Sequence, residues 1–418
     1  MIKVFKFGGA SVKNSEAVRN MTRIVRSYAQ QPLVVVVSAM GKTTNAIERI
    51  HTARFEGKPY QEDLKEIVLY HTQLTDELFG DDPSGKIALQ SQLSDFTTAL
   101  HKPCTSDFDR EYDSLIGYGE LISTAIIQAY LQKEGISSIW LDARQYIITD
   151  NRFRDARINW EISSQRIKPI HQALSENKVC VIQGFIGSTS DGHCTSLGRE
   201  GSDFTASIMA YLLDADDVTI WKDVPGMLNA DPKKFKDTVK LDRISFKEAI
   251  ELAYYGASVI HPKTIKPLQN KGIPLHIKSF IDPLASGSTI EADAENDHLV
   301  PSFIVKDNQT LLSISTRDFS FIVEDNLKEI FGVLSELGIR VHLMENSAIS
   351  FSIVFDCDKH KQQLLIDRLS TKYAVKYNED LTLLTVRHGS EDSLKNLLNK
   401  GETLIEQRTR HTIRVVIK

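Results

Sequence analysis

Cysteine is scarce in this 418-residue chain: Cys104, Cys180, Cys194 and Cys357 lie far apart, with no CxxC pair. That excludes a disulfide framework and points to a reducing compartment. Long hydrophobic runs are missing too. A run such as Leu33–Val37 is far too short to cross a bilayer, and the N-terminus lacks the charged-then-apolar pattern of a secretory signal. The expectation is a cytoplasmic protein with no membrane partner. Nor is there an excess of positive charge, since 50 Lys and Arg against 55 Asp and Glu leave a net charge of -5 with the basic residues scattered among acids. Without a basic field, nucleic acid is not an expected partner. What remains is a composition of 41% hydrophobic and 25% charged residues, ordinary for a globular chain long enough for two or three domains.

The stretch that organises the chain is IKVFKFGGASV, residues 2–12. A short apolar strand breaks at Gly8 and Gly9 and leads into a helical pattern, which leaves backbone amides exposed at a strand-to-helix junction suited to phosphate. Lys6 stands two residues before the glycines and can place its ammonium beside the same anion. Strand and helix patterns alternate from there through about residue 280, with strands expected at 33–37, 138–141, 179–183, 218–221 and 274–277. Such alternation predicts an α/β domain, a parallel sheet with helices on both faces, over residues 1–295. Beyond Pro301 the grammar changes to βαββαβ over residues 309–377. A second, shortened βαββ copy follows from residue 381, with a helix at 394–398, so residues 302–418 read as an α+β tandem.

Further stretches in the large domain carry chemistry. In LVVVVSAMGKTTN the run Gly41-Lys42-Thr43 invites a P-loop reading, but Val36 stands where its first glycine is required. Ser38, Thr44 and Asn45 still offer hydroxyls and amides at the carboxyl edge of the sheet, where open α/β sheets bind ligands. GYGEL sets Glu120 at the start of a helix, where a carboxylate favours the helix dipole by default. TSLGREGSDFTA packs two glycines, Arg199, Ser202 and Asp203 into a loop that opens onto a helix, an anion site with an acid to orient cations. WKDVPGMLNADPK has the loop chemistry of a nucleotide rim.

KFGGASV, VVVVSAMGKTTN, GYGELIST, TSLGREGSDFTA, WKDVPGMLNADP and YYGASVIHP occur in the order and spacing of the aspartokinases, so nearly the whole chain resembles that branch of the amino acid kinase fold. That family ends in paired ACT (ferredoxin-like) domains, and the βαββαβ unit is similar to one of them. The resemblance implies transfer of the ATP γ-phosphoryl group to the β-carboxylate of L-aspartate, the first step towards lysine, threonine and methionine. By similarity Lys6 and Asp203 are catalytic. Ser38, Thr44, Asn45, Glu120, Arg199 and Ser202 match substrate-binding positions. Lys6, Gly8, Gly9, Ser11, Lys222, Asp223, Met227, Asp231, Lys233 and Ser258 fall where the family holds ATP. Mg2+ is expected to bridge the β- and γ-phosphates, mostly through water and substrate oxygens, so no protein ligand is named.

Departures from the family pattern are Ala10 for threonine, Glu200 for glycine, Lys222 for threonine and Ser258 for lysine. Glu200 sets a negative charge beside an anion site. Loss of a lysine at Ser258 leaves Lys222, Lys263 or Lys278 as substitutes. In the tail the resemblance implies a homodimer, or a higher homo-oligomer, joined through ACT sheets, and an effector pocket near Phe319, Asp325, Asn326, His342, Glu345, Asn346 and Ser347. Lysine and threonine are equally expected as effector, because His342 stands where lysine-inhibited relatives carry an aspartate. The alternatives are a kinase of acetylglutamate or glutamate, and a non-catalytic ACT amino-acid sensor.

Overall fold

The computed structural model describes residues 1–257, 260–293, 295, 297–318, 320–389 and 401–418. Ser258, Phe319 and the helix expected at 394–398 lie outside the described residues. The chain forms two compact units. The first is Met1–Met227 with Lys240–Ile250 and Ser258–Asp297; the second is Leu228–Val239 with Glu251–Ala257 and His298–Lys418.

The first unit is built on β1 (Lys3–Phe7), β2 (Leu33–Val37), β3 (Ser138–Leu141), β4 (Val179–Gln183), β5 (Asp217–Lys222), β6 (Arg243–Ser245), β7 (Leu275–Ser279) and β8 (Ser288–Glu291). They form one sheet in the order β6-β8-β7-β5-β1-β2-β4-β3. Its neighbours are parallel except β7 and β8. Every residue of β2 is buried, as a central strand covered on both faces requires. In β1 successive side chains point to opposite faces. Phe5 and Phe7 pack with Trp221 in an aromatic cluster on one face, so Lys6 must point to the other. That opposite face carries α1 (Gly201–Leu212), which supplies Asp203. On the side of the aromatic cluster the core includes residues of helices Ser15–Arg26, Tyr118–Lys133 and the four helices between residues 43 and 116. No helix among the described residues is long and apolar enough to cross a membrane.

The second unit carries a six-stranded antiparallel sheet of β9 (Ser302–Thr316), β10 (Val341–Asn346), β11 (Ser350–Asp356), β12 (Tyr373–Arg387), β13 (Thr403–Arg408) and β14 (Thr412–Ile417). Their order is β10-β11-β9-β12-β14-β13. Two helices, Glu324–Glu336 and Lys359–Ser370, pack on it. The sequence separates strands at 374–377 and 381–388, whereas β12 runs through. It pairs with β9 on both sides of a register shift near Gln309, and Asn308 and Asp380 absorb the irregularity at φ 56° each. Both are residue types that tolerate this left-handed backbone. Leu228–Val239 is joined to this unit by backbone and side-chain bonds. Phe303 N donates to Asn229 O at 2.7 Å, Asn229 Nδ2 donates to Pro301 O at 2.8 Å, and Phe235 stacks on Phe303.

Candidate active site

Lys6, at the carboxyl end of β1, and Asp203, in the first turn of α1, meet inside the first unit, with Lys6 Nζ 2.6 Å from Asp203 Oδ1. Lys222, the last residue of β5, reaches the other carboxylate oxygen, with Nζ 3.2 Å from Oδ2. Burial alone would raise the Asp203 carboxyl, but the two flanking ammoniums outweigh it and hold the group below the ordinary range. Two cations share one carboxylate. The cluster faces a cavity of about 510 Å³ lined also by Ser38, Thr44, Glu120, Arg199, Glu200 and Ser202. The nearby chain turn requires glycine, because a Cβ on Gly9 would lie 2.7 Å from the Ala39 carbonyl oxygen.

Glu120 departs from its default reading as a dipole partner. It is 3% exposed; one carboxylate oxygen accepts from Ala39 N at 3.2 Å, and Oε2 is buried with no partner. Desolvation pushes its carboxyl up to about 8. A buried carboxyl oxygen without a protein partner, in the wall of a cavity, leaves room for a polar partner from outside.

Sequence reasoning missed several wall residues. Tyr112 donates its hydroxyl to Glu48 at 2.8 Å, and the Arg154 guanidinium lies over the Tyr112 ring at 4.4 Å; all three line the cavity. Behind them buried Asp113 accepts from Arg154 N, Ser196 N and Ser196 Oγ at 2.9, 2.8 and 2.6 Å, tying a loop to the end of strand Cys194–Ser196. Glu48, Tyr112 and Asp113 sit on helices and Arg154 on a loop, away from glycine clusters, so no local motif marks them.

Other expected residues fall elsewhere. Asn45 lines a separate surface depression with Arg49 and Thr52. Ser11 is buried, and its amide donates to Gly8 O at 2.9 Å. Asp223 is exposed, and Met227 is buried with its amide on Ser288 Oγ at 2.8 Å. Asp231 and Lys233 belong to the second unit, where Asp231 Oδ1 accepts the Lys233 amide at 2.9 Å. Of the three substitute cations only Lys222 lines the cavity; Lys263 pairs with Asp155, and Lys278 lies over the Trp221 ring.

The sequence profile of the amino acid kinase family matches residues 1–279. Lysine-sensitive aspartokinase 3 of Escherichia coli is 30% identical over 92% of this chain and 86% of its own length. The chain belongs to the amino acid kinase family, in its aspartokinase branch. Among the aspartokinases it is also similar to the bifunctional aspartokinase/homoserine dehydrogenase 2 of Arabidopsis thaliana, at 30% identity over 90% of this chain, but it spans only 42% of that protein. It covers 65% of aspartokinase 1 of the same plant, at 31% identity. In three dimensions it is similar to E. coli aspartokinase III in complex with aspartate and ADP, with a TM-score of 0.82, 28% identity and coverage of 100% of this chain and 96% of that one. The same enzyme in complex with lysine and aspartate gives a TM-score of 0.83.

Proposed function

We propose that the chain is an aspartate kinase, transferring the ATP γ-phosphoryl group to the β-carboxylate of L-aspartate to give 4-phospho-L-aspartate for lysine, threonine and methionine synthesis. The observation that carries the reading is the pairing, in one cavity, of the Lys6–Asp203–Lys222 cluster with the unpartnered Glu120 oxygen. An acceptor carboxylate is ionised at neutral pH, so the reaction needs no general base, and the barrier lies in bringing two anions together in line. Lys6 stabilises the transferring phosphoryl group, and Asp203 fixes the ammonium in place. Glu120 takes the substrate α-ammonium, and Arg199 clamps a substrate carboxylate in its fork. The ammonium draws Glu120 into its ionised form, so substrate binding releases a proton from a group that is protonated in the empty site at neutral pH.

Among the described residues no three His, Cys, Asp or Glu side chains stand close enough to hold a metal ion. Mg2+ would come with the nucleotide and supply positive charge beside its phosphates. The close approach around Gly9 and the ammoniums of Lys6 and Lys222 suit those phosphates. In the second unit β10 and β13 end the sheet, and strand edges of this kind favour a homodimer joined there; an amino-acid effector such as lysine or threonine would act on this unit. A hydroxamate assay with ATP, Mg2+ and a panel of L-aspartate, glutamate and acetylglutamate tests the activity. Acyl hydroxamate from aspartate alone is expected; preference for another acid reassigns the acceptor, and no turnover with any acid leaves a sensor.

A further inference from the structure

Glu200 stands at a place that disfavours it twice. It precedes α1 with φ 54°, in the left-handed region where a side chain costs free energy and glycine does not. Its carboxylate also projects among the phosphoryl-site charges: it lines the same cavity as Lys6, Asp203 and Lys222, and its Oε2 is buried with no hydrogen-bond partner. The charged groups acting on it come from every neighbouring element: Lys222 from β5, Asp203 from α1, Arg199 from its own loop and Lys6 from β1. Glu48, Glu120 and Arg154 complete the charges of the cavity wall. Desolvation raises the Glu200 carboxyl above its ordinary range, and Lys222 is the strongest of the opposing cations.

A phosphoryl group bound beside Lys6 and Lys222 brings more negative charge into this cavity. We propose that Glu200 is a resident anion of the phosphoryl site: it occupies the field of Lys222 in the empty enzyme and competes with the incoming nucleotide phosphate for that cation. Lys222 is then a phosphate-facing cation whose availability Glu200 sets, which makes Glu200 a positioning residue for nucleotide affinity. Protonation of Glu200 removes the competing charge, so the nucleotide binds more tightly as pH falls through the raised pKa. The inference rests on the kinase reading above.

The test is calorimetric binding of ATP with Mg2+ to the full chain, wild type against Glu200→Gln and Glu200→Gly, from about pH 9 to about pH 5.5. Both variants are expected to lower Kd about fivefold at the alkaline end. That ratio falls towards one at the acid end, because the nucleotide's own titration is common to all three proteins. Only Glu200→Gly, which also relieves the backbone, raises the melting temperature through the left-handed position. Lys222→Met is expected to weaken ATP about tenfold. A Kd for Glu200→Gln equal to or above wild type at the alkaline end, or a ratio independent of pH, overturns the resident-anion role while leaving the kinase reading intact. No ATP binding by the wild-type chain overturns both.

Discussion

The cavity of the first unit and the expected effector region of the second differ in what their polar residues are doing. In the cavity, charges are buried beyond local need: Asp203 carries two ammoniums, and Glu120 and Glu200 each keep an oxygen without a partner. In the expected effector region Asn326, Ser347 and His342 have structural occupations. Asn326 accepts from Val323 N at 3.0 Å at the start of its helix and donates to the Tyr373 hydroxyl at 3.1 Å. The Ser347 amide and hydroxyl bond to the Ser350 backbone across a turn. His342 is buried against Asp356, 2.9 Å from its carboxylate, and beside Lys306 at 3.2 Å; burial first, then the lysine, depresses its pKa despite the acid. Asp325 and Glu345 are exposed. Unfilled polar valence at Glu120 and Glu200 distinguishes the cavity wall from Asn326, Ser347 and His342.

The largest effect that sharpens this contrast is at Lys6. Lys6→Ala is expected to cut kcat about a hundredfold or more with the fold intact by circular dichroism, because it removes charge needed chiefly in the transition state. Retention of a tenth of wild-type kcat removes Lys6 from the chemistry. Next, Arg199→Ala and Glu120→Ala are expected to raise the aspartate KM about tenfold or more while changing that of ATP little. Equal rises for both substrates mean that the aspartate position is wrong.

Glu120 also makes a prediction about stability. Its folded pKa, about 8, lies above the 4.5 of the unfolded chain, so between those values the folded state binds the extra proton. Stability of the empty enzyme therefore falls as pH rises through that window, with a slope on the order of 1 kcal/mol per pH unit, and is restored by aspartate. Urea unfolding across the window reads the slope; Glu120→Gln should abolish it, and an unchanged slope places the titrating group elsewhere. The smallest effect breaks the comparison from the other side. Asn326→Ala is expected to cost about 1 kcal/mol of stability as a lost helix cap, with turnover unaltered in the absence of effector. Calorimetry with lysine, threonine and methionine on the same variant shows whether Asn326 also binds, since a selective loss of affinity gives it the ligand role that its hydrogen bonds do not require.

The parallel sheet was legible because β1, β2 and β4 are short apolar runs between turn residues, and a buried parallel strand leaves that trace. Lys6, Arg199, Ser202 and Asp203 were legible because glycines flag the turns that carry them. Tyr112, Asp113 and Arg154 were not, since a helical Asp that ties a distant loop to a distant strand has no local spacing to betray it. Nor does a sequence reveal that one Glu120 oxygen lacks a partner, because partnership is a property of the packed wall. The continuous β12 was read as two strands for a related reason: Asn378 to Asp380 look like a turn, and only pairing with β9 on both sides of the irregularity carries the strand through.

The second unit is not a contiguous piece of chain. Leu228–Val239 and Glu251–Ala257 belong to it along with His298–Lys418, held by Asn229, by Phe235 on Phe303, by the Glu251–Arg387 ion pair, and by Tyr255 against Arg387 and Arg414. For protein engineering this means that a cut at residue 297 does not release two modules. The N-terminal fragment would keep two segments whose partners had been removed, and the C-terminal fragment would lose two of its own walls. Recombination that exchanges regulatory tails between such enzymes must therefore carry residues 228–239 and 251–257 with the tail, or build their replacements into the host.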